Sequence, residues 1–221
     1  MKILILLCAL IALPLQAEVR GEKVLIDHNP ELQLFSFKAI ILKGAKWTRP
    51  LIVEELQKVN RIYSQCGVQI KHIELLNAQT SADFSELDQV ALYGSKLEKI
   101  GFKKRDEVVA LFAGKLVGDL REQGGSNTGG FAINELNMQD ATTLEQAMTN
   151  MAVLLDHGHS DEYKNKRHPE YSPIAHELGH IYLNEGHAET ANLMASGVEI
   201  VTPELTPEQC KTFRQSPLIK N

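Results

Sequence analysis

Hydrophobic and polar positions change along the chain in a way that predicts alternating strands and helices. Residues 32–43 are apolar and rich in aromatic and β-branched residues, and residues 68–76 have a similar strand-like pattern. Between them, apolar residues recur every three or four positions over 52–63, which is the spacing of a helix with one buried face. Thr48 supplies an N-cap for this helix, and Gly67 supplies a stop signal.

The rest of the chain continues with elements of the same two kinds. Residues 18–31 are polar, and we expect them to form a loose arm before the first strand. Residues 106–114 form an apolar run of the kind that is buried on both faces of a sheet. Further elements are predicted as a helix over 86–101, strands over 131–134 and 150–158, and helices that begin at Ser172 and Thr206. This order predicts an α/β or α+β domain with one mixed sheet.

Residues 1–17 have the pattern of a secretory signal peptide. Lys2 precedes an unbroken apolar run over 3–13, which is too short for a permanent membrane span, and the segment ends at the small residue Ala17. We expect cleavage after Ala17, which leaves residues 18–221 as a single domain of a secreted or periplasmic protein. An uncleaved anchor or a buried first helix is the alternative.

Charge and hydropathy limit the possible partners. The formal net charge is −5, and no long basic cluster is present, which argues against a nucleic acid. After residue 17 no apolar run reaches transmembrane length, so we expect no permanent membrane anchor. We expect a monomer.

The three cysteines predict one disulfide bond. Cys8 would leave with the signal peptide, so Cys66 and Cys210 would remain in a chain that is directed to an oxidising compartment. The alternative is two separate buried thiols.

A glycine-rich stretch at 124–130 first suggests a phosphate-binding loop. It lacks the Lys-Ser/Thr ending that holds a nucleotide, and it does not open a helix. We therefore expect a turn that leads into the short strand at 131–134.

Two histidines on one predicted helix are the first sign of a metal site. Ser172 is the N-cap of this helix, and His176 and His180 are four residues apart, so both imidazoles leave the same face. Glu177 lies beside the pair, where it can reach a water at the metal without binding the metal itself. The alternative is an ordinary amphipathic helix with polar histidines.

A catalytic zinc site needs a third protein ligand, and His187 is the first candidate. Asn184 and Gly186 both tolerate a positive φ, so they can end the helix and turn His187 back toward the pair. Met194 follows shortly afterwards, where a methionine is most often a core residue. The other candidate third ligands are Glu185, Glu189, His157, His159 and His168.

This constellation resembles that of the metzincin zinc endopeptidases, whose pattern is H-E-x-x-H-x-x-G-x-x-H followed by a methionine turn. His176, Glu177 and His180 match the first part, and Met194 matches the methionine of the turn. The chain departs from the pattern because Leu183 stands at the glycine position and His187 comes one residue late. The departure leaves the third ligand and the subfamily open.

The resemblance implies a fold, a substrate strand and a reaction. The implied fold is a mixed, mostly parallel sheet with a long N-terminal helix, an active-site helix and a C-terminal helix. Gly130, Phe131 and Ala132 would belong to an edge strand that holds an extended substrate, or else to an ordinary exposed hairpin. One catalytic Zn²⁺ on the three histidines would activate a water from which Glu177 takes a proton.

We therefore expect a secreted zinc-dependent endopeptidase that hydrolyses peptide bonds of a protein or peptide substrate. Two alternatives remain open, namely a catalytically inactive zinc-binding module and an amide hydrolase that acts on cell-wall material. His157 and His159, which we place on one side of a strand end, could hold a second metal or could be solvated residues at the rim of the site.

Overall fold

The structure is a computed structural model that describes residues 21–78, 97, 107–114, 129–134, 149–161, 165, 168–189, 191–195 and 202–219. Within these residues, six strands form one sheet in the order β1-β3-β2-β4-β6-β5. The strands are β1 (Glu22–Leu25), β2 (Gln33–Ile41), β3 (Val68–Asn77), β4 (Val109–Ala113), β5 (Gly130–Ile133) and β6 (Met151–Leu155).

The sheet is mixed, as the order of the elements predicted, and mostly parallel, as the family resemblance implied. Strand β2 pairs in parallel with β3 and β4, and β4 pairs in parallel with β6. The two outer strands run the other way, because β1 is antiparallel to β3 and β5 is antiparallel to β6.

Three helices begin at the N-caps that the sequence predicted. They are α1 (Arg49–Ser64), α2 (Pro173–Leu183) and α3 (Pro207–Gln215). The side chains of Thr48, Ser172 and Thr206 each accept a hydrogen bond from a backbone N–H of the first turn, which would otherwise have no partner.

The central strands are apolar throughout because both faces of the sheet are covered. In β4, Val109 and Leu111 belong to the hydrophobic cluster on one face, while Ala110 and Phe112 belong to the cluster on the other face. Residues of all three helices belong to the same cluster as Ala110 and Phe112. The cluster of Val109 and Leu111, on the other face of the sheet, includes Leu97, which is helical and fully buried.

The prediction of a loose arm over 18–31 was wrong for its described part. Residues 22–25 form strand β1, in which Val24 is 3% exposed, and Ile26, which follows the strand, is 2% exposed. The strand is only four residues long and carries charged neighbours, so its apolar alternation was too short to detect.

Other predictions meet the limits of the described residues. The predicted helix over 86–101 lies outside them apart from Leu97, and so do residues 1–17 and most of the glycine-rich stretch. The strand predicted over 150–158 ends at Leu155 and continues as a 3₁₀-helix over Asp156–His159. Among the described residues, no helix combines the length and apolar character that a membrane crossing requires.

A disulfide bond joins Cys66, just after α1, to Cys210 in α3, as the sequence predicted. The Cα atoms of the two cysteines are 4.6 Å apart, and 144 positions separate them in the chain. The bond therefore attaches the C-terminal helix to the end of the first helix.

We expect no free thiol in unfolded, unreduced protein that begins at Glu18, as measured by thiol titration. Replacing both cysteines (Cys66→Ser, Cys210→Ser) should lower the free energy of unfolding by up to about 4 to 5 kcal/mol, because the cross-link restricts a long loop of the unfolded chain. Two free thiols per chain in the unmutated protein would contradict the bond.

Candidate metal centre

Helix α2 lies in the interior of the protein, and every one of its residues is buried. It packs against β5, β6, α1 and α3. The hydroxyl group of Tyr63 in α1 donates a hydrogen bond of 2.7 Å to the carbonyl of Ala175, next to the first histidine. Packing and this hydrogen bond therefore fix the position of the helix independently of its histidine and glutamate side chains.

The side chains of His176 and His180 leave one face of α2 and converge. They are 6% and 8% exposed, and their Nε2 atoms are 3.1 Å apart. Nδ1 of His176 donates to the carbonyl of Leu193 at 2.6 Å, and Nδ1 of His180 donates to the carbonyl of Glu185 at 2.9 Å. Because each Nδ1 carries the proton, each neutral ring presents the lone pair of Nε2 to a metal.

His187 completes the group. The metal-binding atoms of the three histidines all lie within 4.8 Å of one another, and His187 is the most exposed of them. Burial lowers the pKa of His180 and of His187, so the neutral, metal-binding form of both rings is favoured near pH 7. The three donors and the tautomers of His176 and His180 therefore fit a zinc ion.

The one-residue delay of His187 is explained by the end of the helix. Helix α2 runs through Leu183, and Asn184 adopts the left-handed conformation with φ of 51°. Asn184 thus does what a glycine does at the end of a helix, and two residues separate it from His187, as in the G-x-x-H part of the family pattern. Gly186 does not have a positive φ, so our expectation for that residue was wrong.

The other candidate ligands lie elsewhere. The carboxylate of Glu185 turns toward α3, where it accepts a hydrogen bond from Gln209 at 2.6 Å. His157 and His159 lie in the 3₁₀-helix rather than at a strand end. Over the part of the chain that the structure describes, the three histidines of the α2 region are the one cluster of three or more donors that could hold a metal.

Glu177 follows His176 directly in α2, and its side chain lies against strand β5. Its side chain is 6% exposed, and a Cβ atom built on Gly130 would lie 3.0 Å from its Cγ and 3.2 Å from its Oε1. A side chain at position 130 would meet the carbonyl oxygen of Val153 first, at 2.5 Å, and would also crowd the side chain of Glu177. Burial raises the pKa of Glu177 to about 8 in the metal-free protein, and a nearby divalent cation would act in the opposite direction.

Met194 packs against helix α2 at Gly179, a residue that the sequence analysis did not single out. Met194 is fully buried, and a Cβ atom built on Gly179 would lie 2.5 Å from its Sδ. The glycine within the HELGH segment is therefore needed for this contact. A glycine inside a helix lowers stability by about 1 kcal/mol relative to alanine. Its presence within the predicted helix was therefore the sequence signal of a close contact at this position.

Asn134, directly after β5, is a second residue that the sequence analysis missed. Its amide donates to the carbonyl of His180 at 3.0 Å and to that of Glu185 at 3.1 Å, and its side chain is buried. It thus gives a hydrogen-bond partner to the carbonyl of His180 in the last turn of α2. It also fixes the position of the Glu185 carbonyl, which accepts the hydrogen bond of the His180 imidazole. A polar residue at the end of an apolar strand was the sole hint of this role.

A mixed sheet, with a buried helix that carries two histidines and a loop that returns a third, defines a metalloproteinase-like α/β fold. Among solved structures, the chain is similar to the crystal structure of metalloproteinase-II from Bacteroides fragilis, with a TM-score of 0.51 at 15% sequence identity. The similarity covers 92% of this chain and 59% of that chain, so this chain spans less than two thirds of that protein.

At this identity the likeness concerns the fold alone. No protein-family model matches the chain, and no curated protein matches it in sequence. The resemblance that the motif implied is confirmed at the level of the fold and of the three-histidine cluster.

We expect the protein to bind one zinc ion and to lose most of its zinc affinity after His176→Ala or His180→Ala, because each change removes one of three ligands. Metal content after dialysis measures this. His168→Ala, in a histidine outside the group, is the control and should keep its zinc. Near-zero zinc in unmutated protein that has been offered zinc would exclude the site.

We expect Gly179→Ala to destabilise the protein by about 1 to 3 kcal/mol, because the added methyl group meets buried Met194. The direction is informative, since this change normally stabilises a helix. Urea unfolding measures it. Gly186→Ala is the matched control, because a Cβ atom there meets nothing within 4 Å. Equal stability of the two variants would show that the contact is unimportant.

Proposed function

We propose that the protein is a zinc-dependent endopeptidase. The observation that supports this most is the position of Glu177, which follows His176 in the helix that carries two of the three converging imidazoles and whose side chain lies against Gly130 of strand β5. A metal site, a proton acceptor and an extended backbone thus occur together. Zinc-assisted hydrolysis of a peptide bond uses these three parts.

His176 and His180 would hold the zinc through their Nε2 atoms, and His187 would be the third ligand. Bound zinc would supply Lewis acidity, which polarises the scissile carbonyl and acidifies the attacking water. The carbonyl groups of Leu193 and Glu185 keep two of the rings in the required tautomer.

Glu177 would act as the general base and then as the general acid. Its carboxylate takes a proton from the attacking water and passes it to the leaving amine. Burial of this side chain supports the role, because a carboxylate that is shielded from bulk water has few competing partners.

Strand β5 would bind the substrate backbone. It is the last strand in the order of the sheet, it runs antiparallel to β6, and Gly130 at its start contacts Glu177. A substrate that adds a strand along Gly130, Phe131 and Ala132 would pass the base and the metal site in extended form.

We propose that the protein works outside the cytoplasm. The disulfide between Cys66 and Cys210 supports this location, because such bonds persist in oxidising compartments. The predicted signal peptide over 1–17 is consistent with it.

Purified protein should be incubated with casein, a peptide library and peptidoglycan, with and without a chelator. Chelator-sensitive cleavage of casein or of the peptides would support the proposal. Cleavage of peptidoglycan alone would indicate a cell-wall amide hydrolase, and zinc binding without any turnover would indicate a binding module.

We expect Glu177→Gln to lower the rate of peptide hydrolysis by about 10²- to 10⁴-fold, because the amide keeps the shape of the side chain but cannot accept the proton. Zinc content and the unfolding midpoint should stay close to those of the unmutated protein. Glu189→Gln, in an exposed glutamate of the following loop, is the matched control and should retain full activity. A Glu177→Gln variant with near-normal activity would exclude Glu177 as the base.

A further inference from the structure

The side chain of Gln209, in the first turn of α3, connects the two loop segments that follow the metal-binding helix. Its amide nitrogen donates to Oε1 of Glu185 at 2.6 Å, and its amide oxygen accepts from Nδ2 of Asn192 at 3.0 Å. Oδ1 of Asn192 in turn accepts from the backbone N–H of Met194 at 2.9 Å. Gln209 and Asn192 are 8% and 7% exposed, so these polar groups would be costly to leave without partners.

Both connected segments provide an acceptor for a metal-binding imidazole. The carbonyl of Glu185 accepts from His180, and the carbonyl of Leu193 accepts from His176. The segment of Glu185 also leads directly into His187. A displacement of either segment would therefore move an imidazole away from the common point of the three ligands.

The chemistry of these contacts requires an amide at position 209. The amide oxygen accepts two hydrogen bonds, from Asn192 and from the backbone N–H of Thr206 at 2.9 Å, while the nitrogen donates to a carboxylate. The bond to Thr206 belongs to the capping box of α3, which a glutamate could make equally well. A glutamate could not donate to Glu185, and its charge would repel that carboxylate.

Anchoring of α3 alone does not require these bonds. The neighbouring residue, Cys210, is already joined to α1 by the disulfide, and the capping box defines the start of the helix. A role confined to the stability of α3 would therefore leave the metal affinity of a folded variant unchanged.

We propose that Gln209 is a positioning residue of the metal centre. Its hydrogen bonds fix the distance between the segment of Glu185 and His187 and the segment of Asn192 and Met194. The three imidazoles therefore converge in the absence of a metal. This inference rests on the proposed zinc site and extends it to a residue of the C-terminal helix that touches neither metal nor substrate.

The test compares Gln209→Leu, Gln209→Glu and the exchange variant Glu185→Gln/Gln209→Glu with the unmutated protein. In the exchange variant the amide and the carboxylate swap places, so the hydrogen bond between the two side chains can form again. Gln215→Leu, on an exposed position of the same helix, is the matched control. Zinc affinity is measured by competition with a chromogenic chelator, and the absorption spectrum of Co²⁺-loaded protein reports the ligand geometry.

We expect Gln209→Leu and Gln209→Glu to weaken zinc binding by about 10- to 100-fold and to alter the Co²⁺ spectrum, which is the usual effect of losing a group that orients a ligand. The exchange variant should regain most of the affinity, and Gln215→Leu should match the unmutated protein. The thermal midpoint of each metal-free variant shows whether it is folded.

Zinc affinity and a Co²⁺ spectrum that stay unchanged in folded Gln209→Leu or Gln209→Glu would overturn the inference, even if the thermal midpoint falls. If Gln209→Leu does not fold, Gln209→Glu and the exchange variant decide the question, and no recovery in the exchange variant would overturn it. These outcomes leave the proposed function intact, whereas an unmutated protein that binds no zinc would refute the proposed function along with the inference.

Discussion

The site depends on one constraint, which is that two imidazoles buried in α2 need acceptors for their Nδ1 protons. A buried polar group without a partner costs free energy, and a proton on Nε2 instead would block the atom through which the two rings face each other. The carbonyl groups within α2 do not serve as these acceptors. The acceptors are instead the carbonyls of Glu185 and Leu193, and both lie beyond the helix.

This constraint explains why the chain folds back after α2. Asn184 ends the helix in the left-handed conformation, so the carbonyl of Glu185 comes within reach of His180. Asn134 supports the same carbonyl from the side of the sheet, and Gln209 holds the Glu185 side chain from the side of α3. The disulfide at Cys210 links this part of the chain to α1.

Close packing brings the parts of the site together as much as polar contacts do. Two glycines allow this, because Gly179 admits the side chain of Met194 against α2, and Gly130 admits the side chain of Glu177 against β5. Burial of Glu177 disfavours its ionised form when no metal is present. The metal-free site is therefore a source of instability that the apolar core has to offset, and bound metal would relieve it.

The sequence by itself determined the elements and the ligands whose signals are local. Side chains cap their own helices, so Thr48 and Ser172 marked helix starts, and the spacing of His176 and His180 placed both imidazoles on one face. The sequence ranked His187 first as the third donor, but only the tertiary structure showed that it converges with the pair while the Glu185 carboxylate turns toward α3. It also brought Asn134 and Gln209 to the site. The partners of these residues lie far away in the chain or on the opposite side of a turn. Local sequence patterns do not predict such contacts, because they form only when the sheet and the three helices have packed.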